Sequence, residues 1–167
     1  MSTAQEVTTL VTQAMSDQKG VWGEETVSFP VTESDIRRWA IAVYWPEKPP
    51  PLFWDADYAK TTKWGGIIAP QDFNPFAWPV ERPGRASSGP MPGEAPKKGD
   101  NILNGGQKDT FHAPIRPGDV ITTRTRLSHW EERQGRHGLT LFEYNEVEWR
   151  NQNDEVVKRR LRTTVRY

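Results

Sequence analysis

The chain has no cysteine, and its 22 lysine and arginine residues balance its 22 acidic residues. The missing thiols exclude disulfides and thiolate metal ligands, and they agree with a reducing cytoplasm. A chain without net charge gives no electrostatic indication of nucleic acid as a partner. No apolar run reaches the roughly 18 residues of a membrane span, and the N-terminus lacks the order of a signal peptide. We therefore expect a cytoplasmic protein that binds neither nucleic acid nor a membrane.

Histidine is also scarce, with three residues at positions 112, 129 and 137. A metal site needs converging ligands, usually at short spacings, and these three are scattered, so we expect no metal. His129 falls on a predicted strand and His137 in a predicted turn, where structural or surface roles are expected. His112 closes a predicted strand just before Ala113 and Pro114, and it remains a weak catalytic candidate.

The length of 167 residues fits one domain and is too short for two of ordinary size. We expect residues 1–20 to be an N-terminal helix or flexible tail and residues 21–167 to form the domain. Within it, residues 79–100 are rich in Pro, Gly and Ser. This composition favours a disordered surface insertion, and the alternative is a lid or an arm lying across a partner. Its Lys97-Lys98 pair is expected to be solvated.

The first half of the domain predicts one strand and two helices. Residues 26–31 alternate as a strand. Thr32 then offers an N-cap oxygen, and Asp35 completes an acidic variant of the capping box. Apolar side chains recur at helical spacing behind this cap and predict a helix over residues 33–44: Ile36, Trp39, Ala40 and Val43. A second, short helix is predicted over residues 56–63.

The second half predicts four strands, at residues 101–112, 119–131, 139–150 and 156–167, each rich in β-branched or aromatic residues. Turn residues connect them at 116–119, 134–138 and 151–154. The last strand alternates, which predicts a half-exposed antiparallel sheet, most simply a meander. One face carries Val157, Leu161 and Val165, and the other carries Lys158, Arg160, Arg162 and Arg166. The fold class is therefore α+β, with a helix packed on the concave face of the sheet.

Acidic residues cluster around the Pro-rich turn at residues 49–51 and the glycine pair at 65–66. A carboxylate beside an apolar pocket could act as a general base. Asp55 and Asp57 are more simply explained as caps of the following short helix, where the helix dipole favours negative charge. Glu47 stays open as a weak catalytic candidate, and Asp55 is a weaker one.

Two glycine pairs suggest close approach of the backbone to another group. Gly65 and Gly66 precede an apolar step, where backbone N–H groups can approach a ligand carbonyl. Gly105 and Gly106 follow Asn104 inside a predicted strand, which indicates a bulge or a close backbone approach. Tight packing explains each pair equally well.

Five sequence features occur in a specific order: VTESDIRRWA at 31–40, PLFWD at 51–55 with YA at 58–59, GGIIAP at 65–70, LNGG at 103–106 and PIRPGD at 114–119. In this order and spacing, residues 27–167 resemble the MaoC-like hotdog dehydratases and hydratases, in their FAS1-like dehydratase branch. The resemblance implies a single hotdog domain, a long antiparallel sheet wrapped around a central helix that starts near residues 69–72. It also implies acyl-thioester pockets at subunit interfaces and reversible addition of water to a trans-2-enoyl thioester, without a further cofactor.

Active members of that family carry Asp-x-Asn-Pro-x-His in the loop after the first helix, where the Asp and His activate water. This chain has Lys48 at the Asp position, Pro50 at the Asn position and Phe53 at the His position. The resemblance therefore implies the non-catalytic, acyl-pocket half of a heterodimer or heterotetramer, whose second hotdog subunit carries the Asp/His pair. The substrate-binding residues expected from it are Phe53, Trp54, Gly65, Gly66, Phe73, Phe76 and Trp78, for which ordinary core or interface packing is at least as good an explanation.

Two other functions remain open. One is a homodimeric hotdog hydratase or thioesterase with relocated chemistry on Glu47, Asp55 or His112. The other is a non-enzymatic acyl-thioester binding protein.

Overall fold

The computed structural model describes residues 8–80, 98–136 and 138–167, which form one five-stranded antiparallel sheet and three α-helices. The predicted α+β class is confirmed. The elements, in chain order, are α1 (Gln13–Gln18), β1 (Thr26–Val27), α2 (Glu33–Tyr44), a 3₁₀ turn (Pro51–Phe53), α3 (Ala56–Thr61), β2 (Ile102–Phe111), β3 (Thr122–Gly135), β4 (Gly138–Arg150) and β5 (Val156–Arg166).

Helix α2 begins at the predicted capping box. The Asp35 N–H donates to Thr32 Oγ1 at 3.1 Å, and the Thr32 N–H donates to Asp35 Oδ2 at 3.1 Å. Ile36 and Ala40, one turn apart, are fully buried. The predicted capped helix is therefore confirmed, and its buried residues are Ile36 and Ala40, whereas Val43 is 44% exposed near the end of the helix.

The strands follow the order β1-β3-β4-β5-β2, and every pair is antiparallel. Strands β3, β4 and β5 form the predicted meander, but β2 crosses to the far side and pairs with β5. The strand predicted over residues 26–31 is shorter than expected and ends at Val27. Isolated hydrogen bonds follow it, from the Ser28 N–H to the Ile121 carbonyl and from the Val31 N–H to the Asp119 carbonyl. The Gly118 N–H also donates to the Val31 carbonyl. Pro30, between Ser28 and Val31, has no N–H to donate, so the regular ladder does not continue.

The core occupies one end of one sheet face, where Ile36 and Phe73 pack with Ile121, Trp149 and Val157. Lys158 pairs with Trp149 across the sheet and therefore lies on this same face. The expectation that Lys158 belongs to a solvated face is wrong, because its side chain is only 3% exposed. Residues 68–71 and 111–115 cover it.

The helix expected near residues 69–72 is absent. This segment instead forms turns, with hydrogen bonds from Phe73 N–H to the Pro70 carbonyl and from Ala77 N–H to the Asn74 carbonyl. Pro70 and Pro75 offer no N–H, and a proline inside a helix clashes with the preceding turn. In the described part of the chain, α2 and α3 are the helices that contribute to the core, with Ile36 and Ala59 respectively.

The opposite sheet face carries a network of ion pairs around Glu148. Glu148, 2% exposed, accepts hydrogen bonds from Arg124, Arg150 and Arg159 at 2.9, 2.7 and 3.0 Å. Burial alone would raise the pKa of Glu148, but the hydrogen bonds from these guanidinium groups lower that pKa to about 2.

Several sequence expectations fall on residues that the structure does not describe. These are most of the Pro/Gly-rich segment 79–100, including Lys97, together with residues 1–7 and His137. Of the expected N-terminal helix or tail, α1 is the helical part. Across the described ranges, no helix is long and apolar enough to cross a membrane.

Candidate functional site

A cavity of about 80 Å³ lies where the segment after α3, the end of β2 and the start of β5 meet. Its wall is mostly apolar, and its ionisable side chains are Lys158 and His112. The complete lining is Trp64, Ile68, Ala69, Pro70, Gln71, Phe111, His112, Ala113, Pro114, Ile115, Val157 and Lys158.

The Lys158 ammonium contacts aromatic rings rather than a carboxylate. Its Nζ lies 3.5 Å from the centroid of the Trp149 ring and 5.9 Å from that of Phe111. Within the described part of the chain no carboxylate forms an ion pair with it, and Asp109 is held by Arg160 instead. Burial, followed by the nearby positive charge of Arg160, lowers the pKa of Lys158 to about 8.

His112 is brought to the same cavity by the end of strand β2. Its backbone N–H donates to the Val157 carbonyl at 3.1 Å, which ties it to the residue beside Lys158. Sequence reasoning singled out His112 but missed Lys158. The alternation of the last strand placed Lys158 among arginines, and only the strand register shows that Trp149 lies beside it.

The two carboxylate candidates lie elsewhere. Glu47 is exposed just after α2, where its N–H donates to the Tyr44 carbonyl. Asp55 caps α3, and its Oδ1 accepts the N–H groups of Asp57 and Tyr58 at 3.1 and 3.0 Å. The capping interpretation of Asp55 therefore holds, and neither carboxylate lines the cavity beside Lys158.

Aromatic contacts hold together the loop of residues 48–54. Lys48 Nζ lies 4.5 Å from the Trp54 ring centroid, and Trp54 Nε1–H donates to the Pro49 carbonyl at 3.0 Å. The Phe53 ring lies 5.9 Å from that of Tyr44. The side chains of Lys48 and Phe53 are thus engaged in a cation–π contact and an aromatic pair.

Phe53 also lines an open groove of about 520 Å³ with an apolar floor. The groove shares Pro70, Gln71 and Phe111 with the cavity beside Lys158, so the two are neighbours. Its complete lining is Val43, Tyr44, Phe53, Pro70, Gln71, Asp72 and Phe111.

The other aromatic candidates are separate from this groove. Phe73 is a core residue, 1% exposed, and packs edge-to-face on Trp39 with ring centroids 5.6 Å apart. Phe76 is half-buried and packs on the core. Trp78 is 61% exposed and also contacts Trp39 edge-to-face. Phe73 and Trp78 line a different cavity, of about 180 Å³. Because Phe73 is buried in the core, core packing explains its presence.

The two residues of the first glycine pair differ in their backbone hydrogen bonds. Gly65 has φ +66° and its N–H donates to the Thr62 carbonyl at 3.0 Å, so that N–H is already used. The Gly66 N–H has no acceptor among the described residues. Arg116 fixes this segment, because its Nη2–H donates to the Trp64 carbonyl at 2.9 Å.

The second glycine pair forms the predicted bulge, where the β2–β5 register shifts between Asn104 and Gly106. Gly106 has φ +102°. A Cβ on Gly105 would lie 2.8 Å from a methyl carbon of Thr163 and 2.9 Å from one of Val165. The close approach therefore serves strand packing.

Comparison with known proteins agrees with this geometry. The family model described as FAS1-like, dehydratase domain region, matches residues 17–160. A UPF0336 protein of Thermobifida fusca is 31% identical over 113 residues, which are 68% of this chain and 70% of that protein.

Among solved structures, the ChsH1-ChsH2 complex from Mycobacterium tuberculosis matches with a TM-score of 0.67 and 18% identity, over 92% of this chain and 94% of the other. The MaoC-like dehydratase from Rhodospirillum rubrum matches with a TM-score of 0.57 and 19% identity, over 87% and 91%. The C-terminally truncated HadBC (3R-hydroxyacyl-ACP dehydratase) complex from Mycobacterium tuberculosis matches with a TM-score of 0.53 and 18% identity, over 85% and 96%. At these identities the matches establish a common fold, and they confirm the predicted hotdog architecture.

Proposed function

We propose, because the chain belongs to the FAS1-like dehydratase family, that it is the acyl-pocket subunit of a heteromeric enoyl-thioester hydratase or dehydratase. A second hotdog subunit supplies the catalytic Asp and His. The substrate is an acyl thioester of CoA or of an acyl carrier protein, and the reaction needs no further cofactor.

The observation that carries this proposal is the chemistry at positions 48 and 53. A hydratase must place a proton acceptor beside water and a proton donor beside the α-carbon. The Phe53 side chain has no exchangeable proton, and the Lys48 ammonium is packed on the Trp54 ring. The chain has the family's fold without an acid–base pair at these positions, which favours a second subunit as the source of that pair.

The free sheet edge supports a second subunit. Strand β2 is the last strand of the sheet, and one side of its backbone has no neighbouring strand in the described part of the chain. Leu103 and Phe111, at the two ends of this strand, are partly exposed at 53% and 39%. An exposed edge with apolar side chains is a template for pairing with another chain. The ChsH1-ChsH2 and HadBC neighbours are complexes, which favours the same arrangement by analogy of fold.

The open groove beside Phe53 supports an acyl ligand. Val43, Tyr44, Phe53 and Phe111 give it apolar walls, and an acyl chain needs such walls to leave water. A facing subunit would close the groove, since its present mouth is open to solvent.

The test is reconstitution. The purified chain alone should hydrate no trans-2-enoyl-CoA, and activity should appear when a hotdog partner carrying Asp-x-Asn-Pro-x-His is added. The matched control is the same partner with that histidine replaced by alanine, which should abolish the reconstituted activity. Rapid turnover by the isolated chain would overturn the proposal.

A homodimeric enzyme is the second candidate, and it is favoured by one observation: His112 and Lys158 line the same cavity. In an active preparation of the chain alone, His112→Ala should then lower kcat strongly, while Glu47→Gln should not. Acyl-CoA binding by calorimetry without turnover under any condition would instead indicate a non-enzymatic binding protein.

A further inference from the structure

We propose that the cavity beside Lys158 is a binding subsite for a small carboxylate, with the ammonium of Lys158 as its anion-recognising group. The subsite stands on its own chemistry, whether or not the chain is a hydratase subunit. Only the acyl-thioester arm of the experiment rests on the proposed function.

The first argument is an unmatched charge. A lysine ammonium offers three donors and no acceptor, and burial without acceptors is costly. Lys158 is 3% exposed, and its ammonium contacts the faces of aromatic rings. A cation–π contact supplies no oxygen acceptors for the N–H donors. A carboxylate in the cavity would supply them.

The second argument is that the neighbouring acids do not fill this role. Asp109 is paired with Arg160, two residues along β2 from the residue that faces Lys158, and both its oxygens accept hydrogen bonds from Arg160. Asp72 acts on Lys158 through space from the covering turn and is itself exposed to water. His112, the remaining ionisable group of the wall, is exposed and adds no negative charge. Asp109 and Arg160 therefore satisfy each other's hydrogen bonds, and the Lys158 ammonium is available to bind a ligand.

The third argument is size and shape. A cavity of about 150 Å³ accommodates benzene, with six heavy atoms. A cavity of about 80 Å³ therefore accommodates about three or four heavy atoms on the same scale. A carboxylate with one carbon attached has four heavy atoms, and the fifth heavy atom of propionate can extend toward the adjoining groove. Ile68, Ala69 and Val157 provide apolar contacts for the carbons.

The adjacent groove allows a longer ligand. Because the groove of Phe53 shares Pro70, Gln71 and Phe111 with the cavity, one molecule can occupy both. Its chain would lie along the groove and its carboxylate would end at Lys158. A free short carboxylate and a carboxylate-ended acyl thioester therefore present the same chemistry to the subsite.

The experiment compares propionate with propionamide, which has the same shape but no charge. Calorimetric titration of the full chain should show saturable binding of propionate and at least tenfold weaker binding of propionamide. Lys158→Met, which keeps the length of the side chain and removes its charge, should weaken propionate binding at least tenfold. Lys108→Met removes an exposed cation from neighbouring strand β2 and should leave binding unchanged.

A measurement on the unaltered protein covers the case in which Lys158→Met does not fold. Lysine-specific isotope labelling reports the Lys158 side chain by NMR, and propionate should shift its signal while propionamide should not. Equal effects of the two compounds, or equal losses in the two lysine variants, would overturn the subsite.

A second pair of probes distinguishes the source of the carboxylate. Succinyl-CoA and butyryl-CoA have acyl groups of equal length, which end in a carboxylate and a methyl group. A preference for succinyl-CoA that disappears in Lys158→Met assigns the subsite to an acyl thioester. Propionate binding without that preference assigns it to a free carboxylate. Absence of propionate binding overturns the subsite even if reconstitution with a partner succeeds, and failed reconstitution overturns the proposed function alone.

Discussion

Arg160 holds both carboxylate oxygens of Asp109, with 2.8 Å from Nε to Oδ1 and 2.8 Å from Nη2 to Oδ2. The pair joins β5 to β2 two residues away from the facing pair of Lys158 and Phe111. The hydrogen bond from Arg160 lowers the pKa of Asp109. This bidentate contact fixes the carboxylate on the guanidinium and keeps it from neutralising Lys158.

Replacing Arg160 should therefore weaken binding of an added carboxylate at Lys158. In Arg160→Met the freed Asp109 carboxylate gains Lys158 as its nearest cationic partner and competes with an added anion. Propionate affinity should fall about tenfold, the ratio that 1.4 kcal/mol produces. Calorimetric titration of the variant with propionate measures this change in affinity. Arg159→Met, which removes a guanidinium from Glu148 on the opposite face, is the control and should not change propionate affinity. An unchanged affinity in Arg160→Met would contradict this role of the ion pair.

Glu148 should make the fold sensitive to acid. Its pKa lies below its ordinary value, at about 2, so its stabilising effect is complete above the unfolded-state pKa near 4.5. That contribution is lost as pH falls toward about 2, because protonation removes the charge that three arginines bind. Denaturant unfolding at a series of pH values should show about 3 kcal/mol less stability at the acid end from this group.

Glu148→Gln is the matched variant. It should be less stable at neutral pH and should lose that part of the acid dependence. If its stability falls with acid as steeply as that of the unaltered protein, other carboxylates are responsible.

The cap of α2 should contribute measurably to stability. Thr32→Ala removes the oxygen that accepts the Asp35 N–H and should cost about 1 kcal/mol in the free energy of unfolding. Ser34→Ala, inside the first turn of the same helix, removes a hydroxyl with no side-chain hydrogen bond in the described structure and should cost nothing measurable. Equal losses in both variants would show that the capping box is not the cause.

The bulge glycine should be intolerant of a methyl group. Gly105→Ala places Cβ within 3 Å of two methyl carbons on β5, and such overpacking costs about 1–3 kcal/mol. Gly135→Ala is a suitable control, because its Cβ would find its nearest neighbours at 3.8 Å and its φ is not positive. Thermal unfolding of both variants measures the difference, and a loss of equal size in Gly135→Ala would contradict it.

The β2 edge should be where a partner subunit binds. Leu103→Glu places a charge on an exposed position of this strand and should weaken assembly with the partner without lowering the Tm of the isolated chain. Val27→Glu, on the β1 edge at the other side of the sheet, is an equally exposed control at 60%. Sedimentation of chain–partner mixtures measures assembly. If Val27→Glu disrupts assembly and Leu103→Glu does not, the interface lies at the β1 edge and this prediction is wrong.

Local hydrogen bonding is what the sequence predicts well here. The Thr32–Asp35 box starts α2, Asp55 caps α3, and the Gly105–Gly106 pair produces a bulge. Each feature depends on atoms within a few residues of one another, so a short stretch of sequence contains all the partners. Pro30 and Pro70 show the limit. The alternation around Pro30 suggested a longer strand, and the family resemblance implied a helix near Pro70, but their missing N–H groups support neither.

The sequence by itself determined the α+β class, the capped helix and the family. Only the tertiary structure decided that β2 lies beside β5 and that Lys158 lies on the covered face. Both depend on strand order and register, which join residues tens of positions apart and which local alternation cannot specify. For the same reason, the cavity shared by Lys158 and His112 emerged only from the packed sheet.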